Sequence, residues 1–140
     1  MKSLILAIVL LSFNSAFANK ITTFTCELEK YPKQKIVFKM QDVDTPDMTF
    51  VHADEEDDYS PIFSSTSKNE IIQQMIRALN EQGGDFRTAS DRIGFFGDSA
   101  GIDFVYLDLY KNSNYTKGFV RLDLEFSTVK AYSKLSCVRE

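Results

Sequence analysis

The chain is predicted to fold as one α+β domain, a mainly antiparallel sheet or flattened barrel of seven or eight strands with one amphipathic helix packed on it. Three observations predict this. Short segments alternating apolar and polar side chains recur along most of the chain, the period of a half-buried strand. One stretch switches to helical period. A cysteine stands near each end of the predicted mature chain, Cys26 and Cys137, so the first and last strands must be neighbours. An all-β sandwich or barrel with a minor helix is the neighbouring alternative.

The first eighteen residues, MKSLILAIVLLSFNSAFA, read as an export signal. Lys2 precedes an apolar run from Leu4 to Phe13, and Ala16-Phe17-Ala18 is a small-x-small ending. The run is shorter than a stop-transfer helix requires. Cleavage after Ala18 is expected, with no lipid-bearing cysteine after the cut and no twin arginine before it. The product is then periplasmic or secreted, and residues 19–140 form a single globular domain. Such a chain, 122 residues long, buries roughly two-thirds of its unfolded surface. In an oxidising compartment two cysteines predict a Cys26–Cys137 disulfide.

The elements follow in order. Phe24, Cys26 and Leu28 alternate with Thr23, Thr25, Glu27 and Glu29 in a strand over 22–29. Tyr31-Pro32 breaks it, and Ile36, Phe38 and Met40 resume the pattern after a loop of four or five residues. Residues 48–53 read as a third strand and 59–63 as a short edge strand, confined there by Pro61. Ser67 with Glu70 forms a capping box. Ile72, Met75, Ile76 and Leu79 then make one apolar stripe on a helix of about fifteen residues ended by Gly83-Gly84. Residues 92–96 and 102–111 flank a Gly-rich turn; 119–127 and 129–138 complete the strands. Val105, Leu107 and Leu109 are apolar on one face of the 102–111 strand, and Phe104, Tyr106 and Tyr110 line the other. A strand apolar on both sides needs a covering layer on each, and the helix supplies one. The sixteen mature aromatics, ten Phe and six Tyr, are expected mostly in the core.

One of the 16 bases, Lys2, leaves with the signal, so 15 bases face 20 acids and the mature charge is −5. This argues against nucleic acid or an anionic membrane as partner. The acids are concentrated. Between Lys39 and Lys68 there is no base, while Asp42, Asp44, Asp47 and the run Asp54-Glu55-Glu56-Asp57-Asp58 supply eight carboxylates. An EF-hand begun at Asp42 fails on Pro46, Asp47 and Ala53. The acidic run is therefore read as a docking surface for a basic protein. A calcium-stabilised structural module is the alternative, and a solvated loop the plainest account. A metal site is not expected: zinc would find one histidine, His52. Nor is a cofactor.

Gly97-Asp98-Ser99-Ala100-Gly101 satisfies the G-x-S-x-G pattern of a nucleophile elbow. That elbow needs a helix after the serine and a histidine further on. Here a strand follows, and His52 lies upstream. The segment is expected to be a hairpin turn, with a serine hydrolase at Ser99 the remote alternative. No catalytic residue is assigned. The expected function is that of an exported, non-enzymatic binding domain acting through its acidic surface.

Overall fold

The structure, a computed structural model, describes residues 20–52, 61–80, 85–99, 103–124 and 130–140. The signal segment 1–18 and the acidic run Asp54–Asp58 lie outside the described residues. Eight strands are present: β1 (Ile21–Leu28), β2 (Tyr31–Gln41), β3 (Thr49–Val51), β4 (Asp85–Thr88), β5 (Arg92–Ser99), β6 (Asp103–Tyr110), β7 (Lys117–Leu124) and β8 (Lys130–Arg139). They form one antiparallel sheet in the order β3-β2-β1-β8-β7-β6-β5-β4. Every sequential pair except β3–β4 is a hairpin, and β8 returns to pair with β1. Among the described residues one α-helix, α1 (Glu70–Asn80), bridges β3 and β4 in sequence. The sheet curls into a nearly closed barrel. Phe50 of β3 meets Phe86 of β4 edge to face, with ring centroids 5.3 Å apart, so the two edge strands approach each other.

Residues on alternate positions of each strand point inward, and these are the apolar ones. Phe24, Leu28, Ile36, Phe38, Met40, Val105, Leu107, Leu109, Val120 and Leu122 are buried, together with Ile72, Met75, Ala78 and Leu79 of α1. Phe38, Phe50, Phe63 and Phe95 interlock at centroid distances of 5.0–5.5 Å. Each such pair adds about 0.5–1.5 kcal/mol beyond its buried area. The expected disulfide is formed. Cys26 opposes Cys137 across β1–β8, with Cα atoms 4.0 Å apart and a separation of 111 positions in sequence.

Several local details differ from expectation. The β1–β2 connection is a two-residue turn, because β2 begins at Tyr31 and carries Pro32 in its exposed first turn of chain. A register shift at Glu27/Leu28 accommodates this. No strand runs over 61–63; the segment makes one isolated bridge, Ser64 with Val37. What holds it is Asn80, whose Oδ1 accepts from the Ile62 and Phe63 amides while its Nδ2 donates to the Phe63 carbonyl. The helix is capped by Asn69, whose Oδ1 accepts from the Ile71 and Ile72 amides at 3.0 and 3.3 Å. Ser67 sits two residues earlier, accepting from the Asn69 amide. The described helix is 11 residues long, and the expected stop at Gly83-Gly84 lies outside the described residues. The eighth strand is β4, which forms a hairpin with β5.

The helix lies on the inner face of β5 and β6, and Gly97 allows it. A Cβ at Gly97 would stand 2.3 Å from the Ala78 carbonyl oxygen and 2.7 Å from the Leu79 Cα. Neither atom can give way without moving helix backbone, so only glycine fits beneath this turn of α1.

Candidate functional site

Each candidate picked from the sequence has a place in the fold. Ser99 ends β5 and pairs with Asp103 at the start of β6, so paired strands stand on both sides of Ala100 and Gly101, which lie outside the described residues. The helix that a nucleophile elbow requires is replaced by a hairpin. The pattern's first glycine, Gly97, serves helix packing. His52 follows β3.

Three of the eight clustered carboxylates are described, and two of them do local work. Asp42, at φ 55°, accepts from the Lys20 amide and from Gln41 Nε2. Asp44 pairs with Arg139 of β8 at 3.0 Å, tying the β2–β3 loop to the barrel. Among the described residues no group of three or more His, Cys, Asp or Glu is arranged to hold a metal ion. The five carboxylates Asp54, Glu55, Glu56, Asp57 and Asp58 are outside the described residues.

A different surface stands out. The outer positions of β4 to β8 carry Arg87; Arg92, Gly94 and Phe96; Phe104, Tyr106, Asp108 and Tyr110; Lys117, Phe119 and Arg121; and Tyr132 and Lys134. Cross-strand pairing sets them in rows. One row runs Tyr132, Arg121, Tyr106, Phe96. The next runs Lys134, Phe119, Asp108, Gly94, Arg87. Six aromatics therefore sit outside the barrel, where a mostly core assignment was expected. A strand's side chains alternate without exception, so the residues opposite a buried set must face out.

Three of these rings, Phe96, Tyr106 and Tyr110, have arginine over them. The Arg121 guanidinium lies 4.8 Å from the centroid of Tyr106, and that of Arg87 lies 5.5 Å from the same ring, so two cations flank it. Arg87 also approaches Phe96 at 5.7 Å, and Arg92 approaches Tyr110 at 5.4 Å. Phe96 stacks on Phe104, and Phe119 stacks on Tyr132. At exposed sites each cation–ring contact contributes about 0.5–1 kcal/mol. Arg92 is paired with Asp91 at 3.0 Å and Arg121 with Asp123 at 3.1 Å. No ion pair joins Arg87 to another residue whose side chain is described. The Arg92 side-chain bond holds the Asp91 carboxyl below its usual range.

Beneath the arginines is Asp108, only 8% exposed. Its carboxylate fills the notch left by Gly94, where a Cβ would lie 2.0 Å from Asp108 Oδ1. Burial pushes the Asp108 carboxyl up, and the charges of Arg87 and Arg92 partly oppose this. Beside the rows, an open groove of about 540 Å³ is lined by Glu27, Glu29, Tyr110, Lys117, Tyr132 and Lys134, among others. That volume is in the range of sites that hold small organic ligands. Tyr132 stands at its edge, 46% exposed. The alternating aromatic residues of 102–111 were the sequence signal for this face; the arginines, which come from β4, β5 and β7, left no shared pattern along the chain.

No known protein family, curated protein or solved structure matches this chain.

Proposed function

We propose that the chain is an exported, non-enzymatic binding domain that recognises another protein through the outer face of β4–β8. One observation carries this reading: six aromatic and three arginine side chains are gathered on the sheet face opposite the one that α1 covers. Aromatic residues and arginine are the types enriched where protein surfaces meet, because they bury large rigid areas at low cost in rotamer freedom. The Cys26–Cys137 bond and the apolar leader support an oxidising, extracytoplasmic destination.

A photo-crosslinking amino acid at Tyr132 tests the reading, with Lys35 on β2 as the control position. Partner-specific products at 132 and none at 35 are expected from host periplasm or culture medium. Equal products at the two positions would refute it.

The acidic run Asp54–Asp58 remains a second proposed surface, for a basic protein, favoured by the base-free stretch around it. Replacing its five acids by amides should then weaken capture of basic proteins at low salt. Unchanged capture removes it. For a calcium-stabilised module, millimolar calcium should raise the melting temperature. Fluorophosphonate labelling lost on Ser99→Ala would be needed to revive hydrolysis at the β5–β6 hairpin.

A further inference from the structure

We infer that the partner seated on the outer face of β4–β8 is an acidic protein segment whose few carboxylates dock on Arg87, Arg121 and Arg92. This rests on the binding reading above and adds the chemistry of what is bound.

The argument begins with donors. A guanidinium has five N–H donors in a fixed plane. Lying over a ring leaves those in-plane donors available. Arg121 meets one carboxylate, Asp123, and Arg92 meets one, Asp91. Arg87 has no ion pair with another residue whose side chain is described. Asp108 balances charge from below, yet no hydrogen bond joins it to an arginine among the described residues. The face therefore offers more oriented donors than its own acids use, and carboxylate is the group that matches an arginine fork two bonds at a time.

Preorganisation favours the same conclusion. Tyr106 holds Arg87 and Arg121 on its two sides, so little side-chain freedom remains to be lost on docking. Phe96 and Tyr106 lie beside the cations and Phe104 stacks on Phe96, and these rings suit aliphatic or aromatic side chains next to the partner's carboxylates. Lys117 and Lys134 continue the positive side along β7 and β8.

The borders limit how much negative charge fits. Asp91, Asp123, Glu27 and Glu29 flank the cations, and the mature chain carries −5 overall. A long polyanion or an anionic bilayer would overlap these acids within a Debye length, about 8–10 Å. A protein segment with two or three carboxylates among apolar residues would not.

The test is a backbone-amide NMR titration of the mature chain from Asn19. The probe is a synthetic nine-residue peptide with three Asp and three Leu, compared with its Asn-for-Asp version. Heparin and phosphatidylglycerol vesicles form two further arms. The Asp peptide should shift amides in β4, β5, β6 and β7 before those of Lys33, Lys35 and Lys39 in β2. The Arg87→Gln and Arg121→Gln variants should each weaken it about threefold, the effect of one exposed charge pair, and the Asn peptide and 0.5 M salt, which remove or screen all of the pairs, should weaken it more. Equal shifts around the β2 lysines would overturn the inference, because any positive charge would then serve. Tighter binding of heparin or vesicles at the same amides would overturn it in favour of a sulfate or phosphate ligand. A concentration-dependent dimer by sedimentation, lost in Arg87→Gln, would instead make the occupant a second copy. If crosslinks at position 132 persist while both arginine variants leave them unchanged, the acidic chemistry falls and the binding reading stands. If crosslinks at 132 and 35 are alike, both fall.

Discussion

The two faces of strands β5–β8 are built from the same alternations yet solve different problems. On the inner face, Val105, Leu107, Val120 and Leu122 are aliphatic and fully or almost fully buried against α1 and the facing strands. On the outer face, Phe96, Phe104, Tyr106 and Phe119 are only half-buried, and arginines lie across Phe96 and Tyr106. Branched aliphatics fill a sealed interior well because they carry no polar atoms and pack to crystal-like density. Rings with arginine above them tolerate water at the edge and can exchange it for a partner. The difference separates a face made for stability from one made for recognition.

Removing the Cys26–Cys137 bond gives the largest expected effect, because both faces share the β1–β8 seam. The double Cys→Ser variant should lose about 4–5 kcal/mol, the chain-entropy value for a loop of this length, read as a shift in urea midpoint. A loss under about 1 kcal/mol would mean that the seam holds without its staple.

Leu107→Ala and Tyr106→Ala then compare neighbouring residues on opposite faces. The inner change should cost about 2–5 kcal/mol. The outer one should cost about 1.5–3.5 kcal/mol, a lost ring pair and two cation contacts. Equal costs in urea denaturation would erase the distinction drawn here.

Two glycines sharpen it further. Gly97→Ala meets helix backbone on the inner face and should cost about 1–3 kcal/mol as overpacking. Gly94→Ala meets the far end of the Asp108 side chain on the outer face, so the carboxylate can swing away and the cost should be smaller. A larger loss at Gly94 would contradict this.

The smallest effect is in pH dependence. Because the folded pKa of Asp108 is raised, its contribution is most favourable at low pH, where the group is neutral in both states. It declines as pH rises from the ordinary aspartate range through the folded pKa. Asp108→Asn should flatten that part of the stability profile and lose nothing above it. A steeper profile in the variant would show that Asp108 is held ionised by Arg87 and Arg92.

Much of the architecture was legible along the chain. Alternation in 22–28 and 119–124 marks β1 and β7, and the helical stripe Ile72, Met75, Leu79 marks α1, because burial on one face imposes a period on neighbouring residues. β4 was not legible: Asp85–Thr88 is four residues with one apolar side chain turned inward, too short to show a period. The capping residue was displaced by two positions because Ser67, Asn69 and Glu70 all suit a helix start, and only the path of the chain decides which side chain reaches the free amides.

By itself the sequence determined the strand periodicities, the one helix, the pairing partners of the two cysteines and the dense acidity of residues 42–58. Each is a local pattern or follows from covalent geometry. Only the tertiary structure decided that Arg87, Arg92 and Arg121 would converge on Tyr106, Tyr110 and Phe96. Strand order and register place those residues together across β4 to β7, and neither is written in the spacing of residues along one strand.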